Sequence, residues 1–318
     1  MRAAEPRIRM TDLSHPAVNL CIPTFRRPEG LRKLLTEVAR LDYPGRLGVF
    51  VVENDAEGRE GAAVVAAMAT NFPFSLTCVH EARRGQTFAY NTGFRAASRA
   101  VPTPDYVAVL DDDEYPASNW LIELVAVADR YRADIVGGPV YPVFDDPGSW
   151  LAKSGLYQPE NYPTGPLEMI YGAGNMLIRR SALDFYLEEP FSHAYAFTGG
   201  SDYEFFTRCR RDGRSFAWAK DARVSETVPR SRTTLAWLVK RGFRKGACNT
   251  RIDRVYAAGL PNAARRWAKG LGLVVHGVTL MPAAALRGRR AMAERLFEAA
   301  RGAGRIAAEF NFHYEEYR

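Results

Sequence analysis

Four consecutive acidic residues, numbers 111–114 in the sequence VLDDDEYP, are the strongest chemical signal in the chain. They directly follow the apolar run DYVAVL, which is typical of a buried strand. Adjacent carboxylates repel one another, and a hard divalent cation with oxygen ligands offsets that repulsion. A solvated turn with one helix-capping acid is the alternative, and so apolar a preceding strand disfavours it. The pattern therefore predicts a divalent metal site at a strand end.

Apolar runs that alternate with helical patterns must position these acids. The predicted strands span residues 18–22, 47–53, 74–80, 105–110 and 133–140. The predicted helices span residues 28–41, 61–69, 86–98 and 119–131. This alternation predicts an α/β fold with a central, mostly parallel sheet flanked by helices. Because ligands of such sheets bind beyond the carboxyl ends of the strands, the segments that follow the strands should form one site.

The regular alternation stops near residue 140. Residues 141–170 are rich in Pro, Gly and aromatic residues and predict a long irregular loop. A strand that turns into a helix follows in MIYGAGNMLIRRSAL, a further helix begins near residue 201, and the chain is mostly helical from residue 235. We therefore predict an N-terminal tail at 1–16, a catalytic domain at 17–245 and a basic helical C-terminal extension at 246–318.

Charge is unevenly distributed along the 318 residues, whose net charge is +7. Residues 221–318 contain 19 Lys and Arg against 8 Asp and Glu, whereas residues 1–220 contain 24 against 28. A basic tail indicates an anionic partner such as a diphosphate, a nucleic acid or an anionic lipid. A solvated basic helix face is the alternative.

The sequence lacks the motifs that are typical of several other classes of protein. There is no CxxC pair among the four cysteines, and no apolar stretch of signal-peptide length near the N-terminus, so we expect a cytoplasmic protein with reduced thiols. Neither a glycine-rich dinucleotide loop after the first strand nor a phosphate-binding GxxxxGK[ST] loop is present. The five histidines are scattered, which disfavours a histidine metal site.

Six motifs in order resemble glycosyltransferase family 2, inverting enzymes of the GT-A fold. They are VNLCIPTFRRPEGLRKLL, VFVVENDAEG, RRGQTFAYNTGFRAA, YVAVLDDDEYP, GAGNMLIRRSAL and TGGSDYEFFTRCRRDG. The resemblance covers roughly residues 17–245. It implies a GT-A nucleotide-diphospho-sugar transferase fold, a nucleotide-sugar donor, usually a UDP-sugar, and Mn²⁺ or Mg²⁺ as the cofactor.

The resemblance also implies roles for single residues. It implies that Asp113 binds the metal and that Asp111 and Asp112 contact the ribose and help to hold the metal. The other residues that it implies for nucleotide-sugar binding are Pro23, Thr24, Phe25, Glu53 or Asp55, Arg84, Gly174, Asn175 and Gly200. Glu53 or Asp55 would meet the base, and Gly174 and Asn175 would lie below the donor sugar. Arg241 belongs to a basic segment that could close over the diphosphate.

Asp202 matches the position of the family's general base. Its alternative role is a helix N-cap, since SDYEFF starts a predicted helix. Two departures from the family pattern stand nearby: Ser201 replaces the usual Glu, and Glu226 lies where many members place a His.

These expectations give a metal-dependent enzyme that moves one sugar to a hydroxyl of a glycan, lipid-linked or small-molecule acceptor. A sugar nucleotidyltransferase, or a non-catalytic protein that binds anionic membranes or nucleic acid, is the alternative. Aromatic residues do not alternate with the basic ones, so we expect no nucleic-acid partner. Residues 270–286 are uncharged and lie between clusters of basic residues, which favours a helix on the inner face of an anionic membrane over a spanning one. A buried helical pair is the alternative there.

Overall fold

The computed structural model describes residues 15–312. Predictions that concern residues 1–14, most of the proposed N-terminal tail, and residues 313–318 lie outside this range. The strands are β1 (Val18–Thr24), β2 (Leu47–Glu53), β3 (Ser75–His80), β4 (Tyr106–Val109), β5 (Glu114–Pro116), β6 (Ile135–Gly137), β7 (Val140–Phe144), β8 (Gly165–Leu167), β9 (Met176–Arg179), β10 (Phe216–Trp218) and β11 (Val224–Val228). The helices are α1 (Pro28–Val38), α2 (Glu60–Met68), α3 (Gln86–Ser98), α4 (Trp120–Tyr131), α5 (Trp150–Lys153), α6 (Arg180–Leu183), α7 (Ser201–Arg211), α8 (Leu235–Tyr256), α9 (Leu260–Thr279), α10 (Met281–Arg287) and α11 (Arg289–Glu309).

An eight-stranded sheet in the order β3-β2-β1-β4-β9-β6-β10-β8 forms the centre of the molecule. The strands β3, β2, β1 and β4 run parallel, and β9 lies antiparallel between β4 and β6. A smaller sheet in the order β5-β11-β7 stands beside it. This arrangement confirms the predicted mostly parallel sheet.

Helices cover both faces of the large sheet because its parallel strands are apolar on both sides. One core combines Leu20 of β1 with Leu34 of α1 and Trp120 of α4, all fully buried. The other combines Phe94 of α3 with Phe205 of α7. Two packed faces fix the sheet, and they thereby fix the edge at which its loops converge.

Two sequence predictions about strands were wrong. Strand β1 does not end before Pro23 but continues to Thr24, and this is tolerated because β4 ends opposite Cys21 and leaves only β2 beside the proline. The segment 133–140 is not one strand, since β6 joins the large sheet and β7 the small one. The loop at 141–170 also contains part of β7, together with α5 and β8. Strands β7 and β8 are short, and they are stabilised only by strands that are distant in the sequence.

The C-terminal helices pack through glycines. A Cβ atom at Gly246 of α8 would overlap the carbonyl oxygen of Arg301 in α11, and one at Gly304 of α11 would overlap that of Phe243 in α8. Helix α8 runs unbroken through the proposed domain boundary between residues 245 and 246.

Within residues 15–312, no single helix is long and apolar enough to cross a membrane. Only α9 and α10 together, bent by 49° relative to each other, meet that requirement of length and composition.

Candidate active site

The strands β1, β2 and β4 end at one edge of the sheet, and the loops after them bring the predicted residues together. Thr24 Oγ1, at the end of β1, donates a hydrogen bond of 2.9 Å to Asp112 Oδ2, which follows β4. Both side chains are buried. The structure thus places the first and fourth predicted strand ends in direct contact, as parallel topology requires.

We call residues 111–114 the acid cluster. The Arg27 guanidinium offsets part of the repulsion among its carboxylates. Its Nη1 lies 3.0 Å from Asp112 Oδ1 and 2.6 Å from Asp113 Oδ2. Arg27 was not among the predicted site residues, although its position five residues after the end of the first apolar run was the available signal. One guanidinium bridging two carboxylates stabilises their ionised forms.

Asp111 and Glu114 are the buried half of the acid cluster. Tyr90 donates its hydroxyl to Asp111, and the Asp111 amide donates to Glu114 Oε2 at 2.8 Å. Burial, followed by the negative charge of Asp113, raises the pKa of Asp111 to about 7. Burial, followed by the charge of Asp111, raises the pKa of Glu114 well above its ordinary value.

Glu226 lies beside the acid cluster in the small sheet, where its backbone in β11 is paired with that of Glu114 in β5. Arg232 forms an ion pair with it at 3.0 Å. Burial, and next the charge of Asp113, raises the pKa of Glu226. This departure from the family pattern therefore places a fifth carboxylate at the site instead of a His.

The acid cluster fits a divalent cation that completes its coordination with substrate oxygens. Within residues 15–312, no three His, Cys, Asp or Glu side chains are grouped closely enough to hold a metal by themselves. Mg²⁺-type sites commonly use one or two carboxylates together with substrate phosphates, so this finding is compatible with such a site. The Asp113 carboxylate is partly exposed at the sheet edge, so it is the carboxylate of the acid cluster that solvent can reach.

The structure separates the two acids proposed to meet the base. Glu53 is buried, and its carboxylate accepts the backbone amides of Asp55 at 2.9 Å and Ala62 at 3.0 Å, so it holds the loop after β2. Asp55 instead pairs with Arg26 Nε at 2.8 Å and lines a groove with Gly58. A hydrogen bond from Arg26 lowers the pKa of Asp55. Of the two proposed acids, Asp55 is therefore the one that lines this groove, together with Glu57 and Glu60.

Phe25 lies between two guanidinium groups at the same edge. The Cζ atoms of Arg26 and Arg84 are 5.0 and 5.3 Å from its ring centroid. Pro23, two residues earlier, is buried within β1. The predicted nucleoside pocket residues are thus adjacent, with Phe25 and Arg84 as its accessible part.

Asn175, the residue expected below the donor sugar, has its side chain hydrogen-bonded within the protein. Its Oδ1 accepts Trp120 Nε1 at 2.7 Å, and its Nδ2 donates to the carbonyl oxygens of Pro139 and Ala222. Both ends of this buried amide are used, and they join the residue before β9 to α4, to the loop after β6 and to the loop before β11. Gly174, by contrast, lies against the acid cluster, since a Cβ there would overlap the Glu114 carboxylate.

Asp202 is the second residue of α7, so it is not the N-cap. Gly200 caps the helix with a φ of 90°, and a Cβ there would lie 3.0 Å from Cys248 Cβ in α8. Burial raises the pKa of Asp202, while its own helix-terminal amides and the charges of Lys245 and Arg244 act in the opposite direction. A carboxylate with a raised pKa is a better proton acceptor when ionised.

Arg241 connects the two parts of the site electrostatically. Its positive charge opposes the rise that burial causes in the pKa of Glu226 on one side, and it adds to the lowering that burial causes in the pKa of Lys245 on the other. Its Cζ lies 5.0 Å from the Trp237 ring centroid in the same helix. The predicted phosphate-binding Arg thus stands on α8 between the acid cluster and the cations that face Asp202.

The fold and the strand-end acids are those of a nucleotide-sugar transferase of the GT-A type. The model of the family described as "Glycosyl transferase family 2" matches residues 20–187, and the chain belongs to that family. It is 33% identical over 285 residues to the succinoglycan biosynthesis protein ExoM of Rhizobium meliloti (strain 1021), covering 87% of this chain and 89% of the relative. Glycosyltransferase AglE of Haloferax volcanii is 28% identical over 136 residues, 42% of each chain.

Solved structures with the same fold are more distant in sequence. Mannosyltransferase PcManGT from Pyrobaculum calidifontis, in complex with GDP-Man and Mn²⁺, has a TM-score of 0.58 and 19% identity, covering 94% of this chain and 88% of its own. S. aureus TarS 1-349 in complex with UDP has a TM-score of 0.51 and 12% identity, covering 95% and 97%. These similarities confirm the predicted GT-A fold with its helical C-terminal part.

Proposed function

We propose that the protein transfers one sugar from a nucleoside-diphosphate sugar, in particular a UDP-sugar, to an acceptor hydroxyl with inversion at the anomeric carbon. The observation that carries this proposal is the convergence of Thr24, Asp112, Asp113 and Arg27 at the sheet edge of a family 2 chain. The two similar structures were determined with GDP-Man and with UDP, which supports a nucleotide donor.

Asp202 is the proposed general base. Its carboxylate takes the proton of the acceptor hydroxyl while that oxygen attacks the anomeric carbon and the bond to the diphosphate breaks. One displacement inverts the stereochemistry, and such proton transfer typically contributes about 10²–10⁴-fold. Asp55 and the Phe25–Arg84 pair are proposed to hold the nucleoside.

The proposed cofactor is Mn²⁺ or Mg²⁺, held by Asp113 and Asp111. When bound, such an ion stabilises the charge that develops on the leaving diphosphate. The protein adds Arg241, whose side chain is proposed to contact the diphosphate. The Mn²⁺ in the mannosyltransferase structure supports this assignment.

The proposed setting is polysaccharide biosynthesis, supported by the name of the ExoM relative, at the inner face of the cytoplasmic membrane. The outward face of α9 supports the membrane contact because it is apolar and exposed, as at Trp267 and Leu271. Residues 254–293 contain seven Lys and Arg and no Asp or Glu. One of these, Arg266, is buried in an ion pair with Glu309, so it does not belong to the exposed basic flank that the sequence suggested.

A thermal-shift screen of nucleotides and nucleotide sugars with Mn²⁺ or Mg²⁺ tests the proposal. A ligand at 100 times its Kd stabilises the fold by roughly 2.7 kcal/mol. We expect stabilisation by UDP-sugars with metal and slow release of UDP from them. Release of pyrophosphate from UTP and a sugar 1-phosphate would instead indicate a nucleotidyltransferase.

A further inference from the structure

The N-terminus of α7 is packed against α8, and this contact brings cations to Asp202. Cys248 Sγ lies 3.2 Å from the carbonyl oxygen of Gly199, which precedes the helix by two residues. Lys245 is three residues before Cys248 and therefore lies on the same side of α8. Its positive charge acts on Asp202. A cation is thus part of the immediate surroundings of the proposed base.

Helix α11 adds a second cation. The backbones of Gly246 and Arg301 are in close contact, which places Arg301 next to Lys245. Surrounding protein atoms, followed by the charges of Arg241 and Arg301, lower the pKa of Lys245, although part of its side chain is exposed. Burial, followed by the charge of Arg305, lowers the pKa of Arg301. Positive charge is therefore concentrated here against its own repulsion.

Nearby acidic residues offset this charge only in part and without direct ion pairs. In the part of the chain that the structure describes, Arg241, Lys245 and Arg301 form no ion pair, and the Nε atom of Arg301 is buried without a hydrogen-bond partner. Arg305, one turn further along α11, is by contrast paired with Asp253 at 3.3 Å. A buried donor without a partner requires an explanation, and an anion that binds Lys245 and Arg301 supplies one.

An exposed aromatic face lies beside the same group. Tyr203, the neighbour of Asp202, stacks on Tyr171 with centroids 6.0 Å apart and an interplanar angle of 18°. Tyr171 is 55% exposed, and Tyr203 lies within electrostatic range of Arg301. The C–H face of a pyranose ring is apolar and packs on such an aromatic surface. The platform and the cations thus border the same approach to Asp202.

We propose that the acceptor is a negatively charged saccharide, whose phosphate or carboxylate binds Lys245 and Arg301 while its sugar ring packs on Tyr171. This inference rests on the proposed function, since it takes Asp202 as the base that faces the acceptor. Arg and Lys bind both kinds of anion through charge-assisted hydrogen bonds. The site is separate from the donor diphosphate, which belongs with the acid cluster at the sheet edge.

The wild-type protein can be tested with three small probes: glucose 1-phosphate, glucuronic acid and methyl glucoside. Their affinities are measured by ligand-observed NMR with UDP and Mn²⁺ at saturation, so that the donor site is filled. We expect at least one anionic probe to bind about tenfold more tightly than methyl glucoside, as one charge-assisted contact provides. Comparison of the two anions shows whether phosphate or carboxylate is preferred. Equal affinity for all three probes contradicts the proposal.

Variants assign the effect to residues. Lys245→Gln with Arg301→Gln should remove the preference for the anions and leave the Kd for UDP-sugar within about twofold of the wild type. Lys240→Gln is the matched control, an exposed Lys on the same helix, and it should change neither. Tyr171→Ala should weaken all three saccharides alike. Each single variant is checked by its Tm, so that a poorly folded double variant can be replaced by the singles.

Two further outcomes are distinguishable. If the double variant loses UDP-sugar affinity and keeps the saccharide preference, the cations serve the donor and the inference is overturned. If the wild type binds no nucleotide sugar at all, the proposed function fails irrespective of these cations.

Discussion

The residues of the acid cluster are neutralised unequally. Arg27 bridges Asp112 and Asp113 and limits the rise in pKa that burial causes at Asp112, whereas Asp111 and Glu114 have pKa values raised by burial and accept only from hydroxyl or amide donors. Removing a carboxylate therefore has different effects at each position. Asp113 is the one that can gain a cation without first leaving the protein interior.

Asp113→Ala and Asp202→Asn should separate metal binding from proton transfer. Asp113→Ala should weaken UDP-sugar binding in Mn²⁺ by at least about 10–100-fold, the cost typical of even indirect metal partners. Asp202→Asn should bind the donor normally and lose about 10²–10⁴-fold in transfer because an amide cannot accept the proton. Calorimetry with the donor and a transfer assay distinguish them. Wild-type turnover in Asp202→Asn would place the base elsewhere.

The pH dependence of transfer should reveal the raised pKa of Asp202. Burial raises that pKa, so the carboxylate protonates at a higher pH than an ordinary Asp. A base acts only when ionised, and kcat should fall as the pH is lowered through this value. Rate profiles at saturating donor are compared with those of Asp202→Asn, whose residual activity should lack this acidic limb. An identical limb in both would assign it to another group, such as Asp111.

At this scale the sequence predicted the residue types and their convergence but not their partners. Asp112, Thr24, Asp55 and Gly174 lie where strand order places them. Asn175 was assigned to the donor, yet it hydrogen-bonds to Trp120, Pro139 and Ala222. Such partners are brought together only by the tertiary fold, so no local pattern indicates them. The functional roles of the site residues stay predictions.

Among the elements, those with strong local patterns were predicted well. Helix α3 and strand β2 match their predicted bounds because long apolar or amphipathic runs specify them. The prediction of an irregular loop at 141–170 was wrong because β7 and β8 are short and depend on β11 and β10 for pairing.

The contact between α8 and α11 should be intolerant of side chains. Gly246→Ala places a methyl group against the backbone of Arg301 and should destabilise the fold by about 1–3 kcal/mol through overpacking. Gly272→Ala in α9 is the control, since no atom lies within 4 Å of its Cβ position, and helix propensity should stabilise it by roughly 0.5–1 kcal/mol. Urea unfolding measures both. Equal effects of the two substitutions would mean that the helices do not pack as closely as described.

On the scale of the whole molecule, the exposed basic and apolar residues of the C-terminal helices are separated from the acidic residues at the sheet edge. The large sheet and its helices carry the acids, whereas α9 and α10 expose apolar and basic residues and no acidic ones. Helix α8 joins the two regions without a break. Because α11 packs on both α8 and α9, and Tyr256 of α8 donates to Glu204 of α7, a surface that holds α9 would also orient α7 and the proposed base Asp202.

Anionic membranes should bind this surface through both of its components. We expect sedimentation with phosphatidylglycerol vesicles at low salt and release at high salt, since each basic residue near such a surface contributes about 1 kcal/mol.

Trp267→Ser with Leu271→Ser should weaken vesicle binding by more than about tenfold, because apolar side chains of this size contribute roughly 1.5–3 kcal/mol each when buried. Phe185→Ser, an exposed aromatic residue outside the helical extension, is the control and should bind like the wild type. Because both exposed positions lie on the outward face of α9, donor affinity should be unchanged, which separates lipid contact from misfolding. Absence of sedimentation at every salt concentration would assign the exposed face to another partner, and a concentration-dependent dimer in the same buffer would identify that partner as a second copy of the chain.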